Sequence, residues 1–192
     1  MKPHPLAPPQ LSTPRLLVRL ASKRDVHEIV RYYRSNRAFL KPFEPTRSDD
    51  FFKEDFWRGQ VERNLIEFNY NQSLRLFVFE QANPETIIGI INFTQFFRAP
   101  LHACILGYSL AESKQGNGYM IEAISLCIRY IFDELNFHRI TANYMPRNQR
   151  SGNVLKKLGF VVEGYARDYL LINGKWEDHI LTSLVNPHWQ AD

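Results

Sequence analysis

A chain of 192 residues, 44% hydrophobic and 14% aromatic, has the length of one domain and ample material for a buried core, which excludes global disorder. Its 24 Lys and Arg against 20 Asp and Glu give a net charge of +4, a mildly basic balance that suits an anionic ligand, with no basic run dense enough for a nucleic-acid-binding arm. Cys104 and Cys127 stand singly among apolar neighbours, without a C-x-x-C pair or a disulfide framework, and read as reduced core residues of a cytosolic protein.

The first ten residues, MKPHPLAPPQ, carry four prolines and lack the continuous apolar segment of a secretory signal or membrane anchor. Residues 1–10 read as a Pro-rich tail and 11–192 as one domain. The longest apolar run, Ile87 to Ile91 with Gly89 inside it, falls far short of the ~18 residues a membrane-spanning helix needs, so a soluble protein is expected.

Arg15 to Leu20 alternates as a strand. Ser22 to about Ala38 has helical period, with Ser22 as its cap and Asp25 favourable in the first turn. The Pro-bounded segment Phe39 to Thr46 is a loop, and a second helix over about Ser48 to Asn69 carries Phe52, Phe56, Leu65 and Phe68. Ser73 to Glu80, Ile87 to Phe97 and Ala103 to Leu110 read as strands, the last two joined around Arg98-Ala99-Pro100 as a hairpin. The helix after Gly118 holds Met120, Ile121, Ile124, Ile128, Ile131, Phe132 and Leu135. Arg139 to Met145 is a strand stopped by Pro146, and Asn148 to Leu158 a helix ended by Gly159. Phe160 to Ile172 and Trp176 to Val185 flank Asn173-Gly174, a strong hairpin signal. The pattern predicts an α+β domain: a mostly antiparallel central sheet of about seven strands, with flanking helices and no internal repeat.

The stretch SKQGNGYMIEA, Ser113 to Ala123, sets two of the chain's nine glycines one residue apart at the entrance to a helix. Gly116 and Gly118 can take backbone conformations closed to other residues, and the helix start adds unpaired N–H groups and the positive end of its dipole. A phosphate suits such a nest. The dinucleotide pattern fails at Ile121, where glycine is needed, and the P-loop fails at Tyr119.

Gln115-Gly116-Asn117-Gly118-Tyr119-Met120 resembles the pyrophosphate loop of the GNAT acyl-CoA-dependent N-acetyltransferases, Gln/Arg-x-x-Gly-x-Gly/Ala, departing at Met120, where a small residue is usual. Asn148-x-x-Ser151, followed by Leu158-Gly159-Phe160, is similar to the signature of the Rim branch of that family. NRAFLKPFEP, GYSLAESKQGNGYM, ANYMPRNQRSG and EGYARDYLLINGKWEDHILT extend the likeness to the bacterial ribosomal-protein alanine N-acetyltransferases of that branch, from Leu11 onward. The resemblance implies a GNAT fold with a splayed pair of strands and acetyl-CoA as co-substrate. It implies transfer of the acetyl group to the N-terminal amine of a ribosomal protein in the cytoplasm.

By resemblance, the backbone of Tyr108, Ser109 and Leu110 binds the pantetheine arm, and the loop from Gln115 to Met120 takes the pyrophosphate. Asn148 hydrogen-bonds CoA, and Ser151 contacts its sulfur and protonates the departing thiolate, while Leu155 stands where many relatives carry a Tyr acid. Asn148 is equally an ordinary helix cap. Relatives use a Glu base at positions occupied here by Asn143 and Leu170. Asp168, two residues before Leu170, shares its face by strand alternation and is the candidate, with Glu163, Glu112 and Glu44 as further carboxylates. An α-amine titrates near 7.7 to 8, against about 10.4 for Lys, so a water chain serves an N-terminal acceptor without a strong base. Phe43 and Glu44 are expected to line the acceptor slot, and Arg147, Arg150, Lys156 and Lys157 are candidates for the 3′-phosphate of CoA.

No histidine spacing suits a metal, and neither a metal, a membrane nor direct nucleic-acid binding is expected; the chain is read as a monomer or homodimer. Two alternatives stay open. One is acetylation of a small amine or antibiotic, since the CoA half is indifferent to the acceptor. The other is a nucleic-acid-binding protein with a non-catalytic CoA fold, against which the dispersed charge weighs.

Overall fold

The computed structural model describes residues 7–191, so the first six residues of the expected tail lie outside the described residues. Eight strands form one sheet: β1 (Gln10–Ser12), β2 (Leu16–Arg19), β3 (Leu74–Glu80), β4 (Asn83–Phe97), β5 (Ala103–Leu110), β6 (Arg139–Tyr144), β7 (Val161–Ile172) and β8 (Lys175–Val185). Their spatial order is β1-β2-β3-β4-β5-β6-β8-β7, and every neighbouring pair is antiparallel except β5 with β6. The strand beyond the expected seven is β1, three residues paired with β2 from Gln10↔Arg19 to Ser12↔Leu17. At three residues, with Leu11 alone turned to the core, it is too short for an alternation to announce it.

The helices are α1 (Val26–Ser35), α2 (Arg37–Leu40), α3 (Glu54–Asn69), α4 (Tyr119–Arg129) and α5 (Gln149–Lys157). Ser22 caps the 3₁₀ turn Lys23–Asp25 in a reciprocal capping box with Asp25, and α1 then buries Val26, Ile29, Val30 and Tyr33 at helical spacing. The one helix expected from Ser22 to Ala38 is broken at Asn36. There the side-chain amide donates to the Tyr32 carbonyl (2.8 Å) and its oxygen accepts from the Glu112 N–H (3.0 Å), competing with the helical ladder.

The second helix is also shorter than expected. Asp49–Phe52 forms a 3₁₀ turn, and α3 buries Trp57, Val61, Asn64 and Phe68. Phe56 and Leu65 are 40% and 41% exposed. The inward stripe keeps Phe68 but runs through Trp57, Val61 and Asn64 in place of Phe56 and Leu65, because Trp57 anchors it by donating its indole N–H to the Phe51 carbonyl (2.7 Å).

Two hydrophobic clusters fill the two faces of the sheet. One joins β2–β6 to α4 and α5 through Leu76, Ile91, Phe93, Ile124 and Leu155. The other joins α1, Phe51, Phe52 and α3 to Phe77, Phe79, Ile87 and Ile90. Among the described residues no helix is long and apolar enough to cross a membrane.

Candidate active site

β5 and β6 pair in parallel only from Ala103↔Arg139 to Ile105↔Thr141. Beyond that point β5 stays with β4 as far as Gly89↔Leu110 and β6 stays with β8, so the two strands part. The Ala111 N–H donates to the Ile88 carbonyl at 2.8 Å. Antiparallel alternation from that bond turns the N–H and C=O of Ser109 toward β4 and those of Tyr108 and Leu110 toward the gap. A slot with unpaired main-chain groups on one wall is what an amide-bearing chain requires.

The loop at the mouth of this gap is built as the glycine spacing predicts. Gly116 and Gly118 stand at φ +80° and +76°, and Gly118 is the left-handed N-cap of α4. No side chain caps this helix. The first-turn N–H groups, which have no intrahelical partner, therefore face an incoming anion along the dipole. Arg15, just before β2, braces the loop: its Nη1 donates to the Asn117 carbonyl (3.1 Å), its Nε donates to Glu122 (2.8 Å), and its guanidinium lies 4.7 Å from the centre of the Tyr119 ring. Met120 is buried in the core, and its methyl approaches Gly89 of β4, the residue that leaves room for it.

Asn148 caps α5, its side-chain oxygen accepting from the Ser151 N–H at 3.3 Å. Ser151 Oγ lies 2.7 Å from Tyr108 Oη, and the Tyr108 hydroxyl also donates to the Ser151 carbonyl at 3.0 Å. These bonds bring the candidates from β5 and α5 together across the parting strands. Burial pushes the Tyr108 phenol well above its ordinary range, only partly opposed by the bond to Ser151. Leu155 is buried in the core.

The other face of β5 carries a second hydroxyl pair, Tyr32 Oη and Ser109 Oγ at 2.9 Å. Beside it lies a pocket lined by Tyr33, Arg37, Leu40, Glu44, Arg47 and Asn173. The Glu44 carbonyl accepts from the Asn173 N–H at 3.1 Å, which ties the loop after α2 to the tip of the β7–β8 hairpin. Burial raises the Glu44 carboxyl above its ordinary value, against the nearby Arg47. Phe43 is half-buried and lies 5.6 Å under the Arg147 guanidinium.

Asp168 does not stand where strand alternation from Leu170 would put it. It stands at φ +47° in a register break between Ala166 and Leu170, so the two-residue alternation that would align it with Leu170 fails. Its side chain is exposed on the edge strand, and its N–H is held by Asp178 at 2.8 Å. Glu163 is engaged as well, bonded by Arg139 (2.6 Å) and Ser183 (2.7 Å), which hold its carboxyl below the ordinary range. Arg147 straps the segment after α2 to β8. It donates to the Pro42 carbonyl (3.0 Å) and to Glu177 (2.9 Å), and so is turned away from the phosphate role considered for it.

Arg15, Tyr32 and the Tyr108 side chain had no signal in the sequence. Each acts through a partner 77, 43 or more than 100 residues away, and only the fold brings them together.

The model of the acetyltransferase (GNAT) domain matches residues 15–161. The chain belongs to the GNAT acetyltransferase family. It is an acyl-transfer enzyme, and the family's acyl donor is acetyl-CoA. The chain is 45% identical to the [ribosomal protein uS5]-alanine N-acetyltransferase of Escherichia coli over 180 residues, 94% of this chain and 92% of that one. The crystal structure of the ribosomal-protein-S5-alanine acetyltransferase from Vibrio fischeri superposes with a TM-score of 0.91 at 39% identity, covering 95% of this chain and 100% of that one. Mycobacterium smegmatis RimJ, solved with CoA-disulfide, gives a TM-score of 0.85 at 25% identity over 96% of this GNAT chain and 90% of its own.

Proposed function

We propose that this enzyme transfers the acetyl group of acetyl-CoA to the N-terminal α-amine, an alanine, of a ribosomal protein in the cytoplasm. The observation that carries the acceptor is the 45% identity, across 94% of the chain, to a protein that acetylates the alanine of ribosomal protein uS5. Bound acetyl-CoA supplies the activated acetyl group. The groups available to hold it are the unpaired main chain of Tyr108 and Leu110 for the arm and the bare backbone of Gln115 to Met120 for the pyrophosphate. Ser109 supports the first of these by pinning β5 to β4.

Asn148 keeps the first turn of α5 in place and Ser151 presents its hydroxyl to the sulfur. The acceptor enters from the opposite face, where Phe43 and Glu44 line its path. With Asp168 in solvent, proton removal from the amine falls to water, which suits an α-amine with a pKa of about 7.7 to 8. Holding amine and thioester together supplies much of the acceleration.

Mass spectrometry of ribosomal proteins from cells with and without this gene product tests the acceptor. One N-terminus beginning in alanine should lose an acetyl mass in its absence; an unchanged set of N-termini would refute the assignment.

A further inference from the structure

We propose that the side chain of Tyr108 is a positioning residue for acyl transfer: its half-buried phenol orients the Ser151 hydroxyl from which the departing thiolate takes its proton. This rests on the reading of Ser151 as the acid.

The geometry contains a two-position switch. Tyr108 Oη is 3.0 Å from the Ser151 carbonyl and 2.7 Å from Ser151 Oγ. When the phenol donates to the carbonyl, the Ser151 proton has Tyr108 Oη as its acceptor and is turned inward. When the phenol donates to Ser151 Oγ instead, that proton is displaced from Tyr108 and is available to another acceptor. Each arrangement leaves the half-buried phenolic hydroxyl as a satisfied donor, so passage between them costs little.

The surroundings favour a phenol that orients and does not itself ionise. Tyr108 is held in its protonated form by burial. Tyr144, at the end of β6, presses on the same turn: a Cβ on Gly152 would stand 2.6 Å from its ring, so only glycine lets the phenol pack there. The turn that carries Ser151 is thereby held by Tyr144 at Gly152 and by Tyr108 at Ser151 itself, and the Ser151 Oγ–H is the proton free to move.

In the step itself the amine nitrogen bonds to the acetyl carbon as the C–S bond breaks, and the bond pair passes to sulfur. Sulfur takes the Ser151 proton. The proton shed by the amine returns to Ser151 through water, leaving an amide, a free thiol and unchanged side chains.

The test compares the wild type with Tyr108→Phe, Ser151→Ala and the double variant, using acetyl-CoA and a peptide beginning in alanine. Tyr108→Phe should lower kcat about tenfold while KM for acetyl-CoA moves less than about twofold, and it should cost nothing further once Ser151 is alanine. A phenol that only packs would lower Tm and leave kcat near the wild-type value. Unchanged kcat in Tyr108→Phe, an additive double variant, or unchanged kcat in Ser151→Ala would each overturn the proposal. Wild-type turnover of the peptide is the separate control on acetyl transfer.

Discussion

The Met120 methyl lies 3.1 Å from where a Cβ on Gly89 would stand, so a methionine in a loop position usually filled by a small residue is accommodated by a glycine on β4. Gly89→Ala should therefore destabilise the fold by about 1–3 kcal/mol, the usual cost of overpacking. The same Cβ would also meet the Ser109 carbonyl at 2.9 Å, and backbone cannot swing aside. Met120→Ala empties a core site and costs about 2–5 kcal/mol by itself, so the reading is the coupling: Gly89→Ala should cost less in the Met120→Ala background than in the wild type, yet still cost something. Thermal unfolding of the two single variants and the double gives that coupling, and a Gly89→Ala cost of zero in the Met120→Ala background would show that Ser109 yields.

Gly116 and Gly118 predict a different kind of loss. Nothing lies within 4 Å of a Cβ at Gly116, and only an Arg15 nitrogen at 3.9 Å approaches one at Gly118, so alanine at either position meets no clash. It meets only the left-handed backbone, at about 1–2 kcal/mol. Gly116→Asn should lose less, because asparagine tolerates that region. Affinity for CoA, read by calorimetry, should follow the same order, since the anion needs the N–H groups these dihedrals aim.

Much of this fold could be read from local chemistry. The Asn173-Gly174 turn has both residues at positive φ, and the strands predicted on either side are β7 and β8. The Ser22 cap and the order of the main elements also stand. What local reading misses is set by partners distant in sequence: Asn36 breaks its helix to reach Glu112, and β1 exists because β2 offers it an edge. The site divides in the same way. Its glycine loop is visible as spacing, whereas the approach of Tyr108 to Ser151 depends on where two strands separate. Asp168 shows the opposite hazard, because an alternation rule fails wherever a strand bulges.

Asp25 should govern the acid limb of stability. Burial pushes its carboxyl up, but Arg19, bidentate at 2.7 and 2.8 Å, and the N–H and hydroxyl of Ser22 outweigh it and leave the group below its ordinary value of 3.8. A carboxyl depressed in the folded state contributes fully above its unfolded pKa and loses that contribution as pH falls through the folded one. Asp25→Asn should cost about 3 kcal/mol at neutral pH, since Arg19 loses its buried partner, and should flatten the decline below about pH 4. Urea unfolding from pH 7 downward measures it, and parallel curves for the two proteins would remove Asp25 from the account.

Glu44 carries the opposite sign. Its carboxyl is raised by burial, so the folded protein holds that proton more tightly than the unfolded chain. Stability is accordingly lost as pH rises from the unfolded pKa through the folded one, and the ionised group remains a cost at neutral pH. Glu44→Gln should then leave stability at pH 7 unchanged or raise it by up to about 1 kcal/mol, because Arg47, at 3.7 Å and partly exposed, loses little. An acceptor α-ammonium entering beside Tyr33 would pair with that carboxylate, so the same variant should raise KM for the peptide about tenfold with KM for acetyl-CoA unmoved. Loss of stability in Glu44→Gln with unchanged peptide KM would instead make Glu44 a packing residue of the loop.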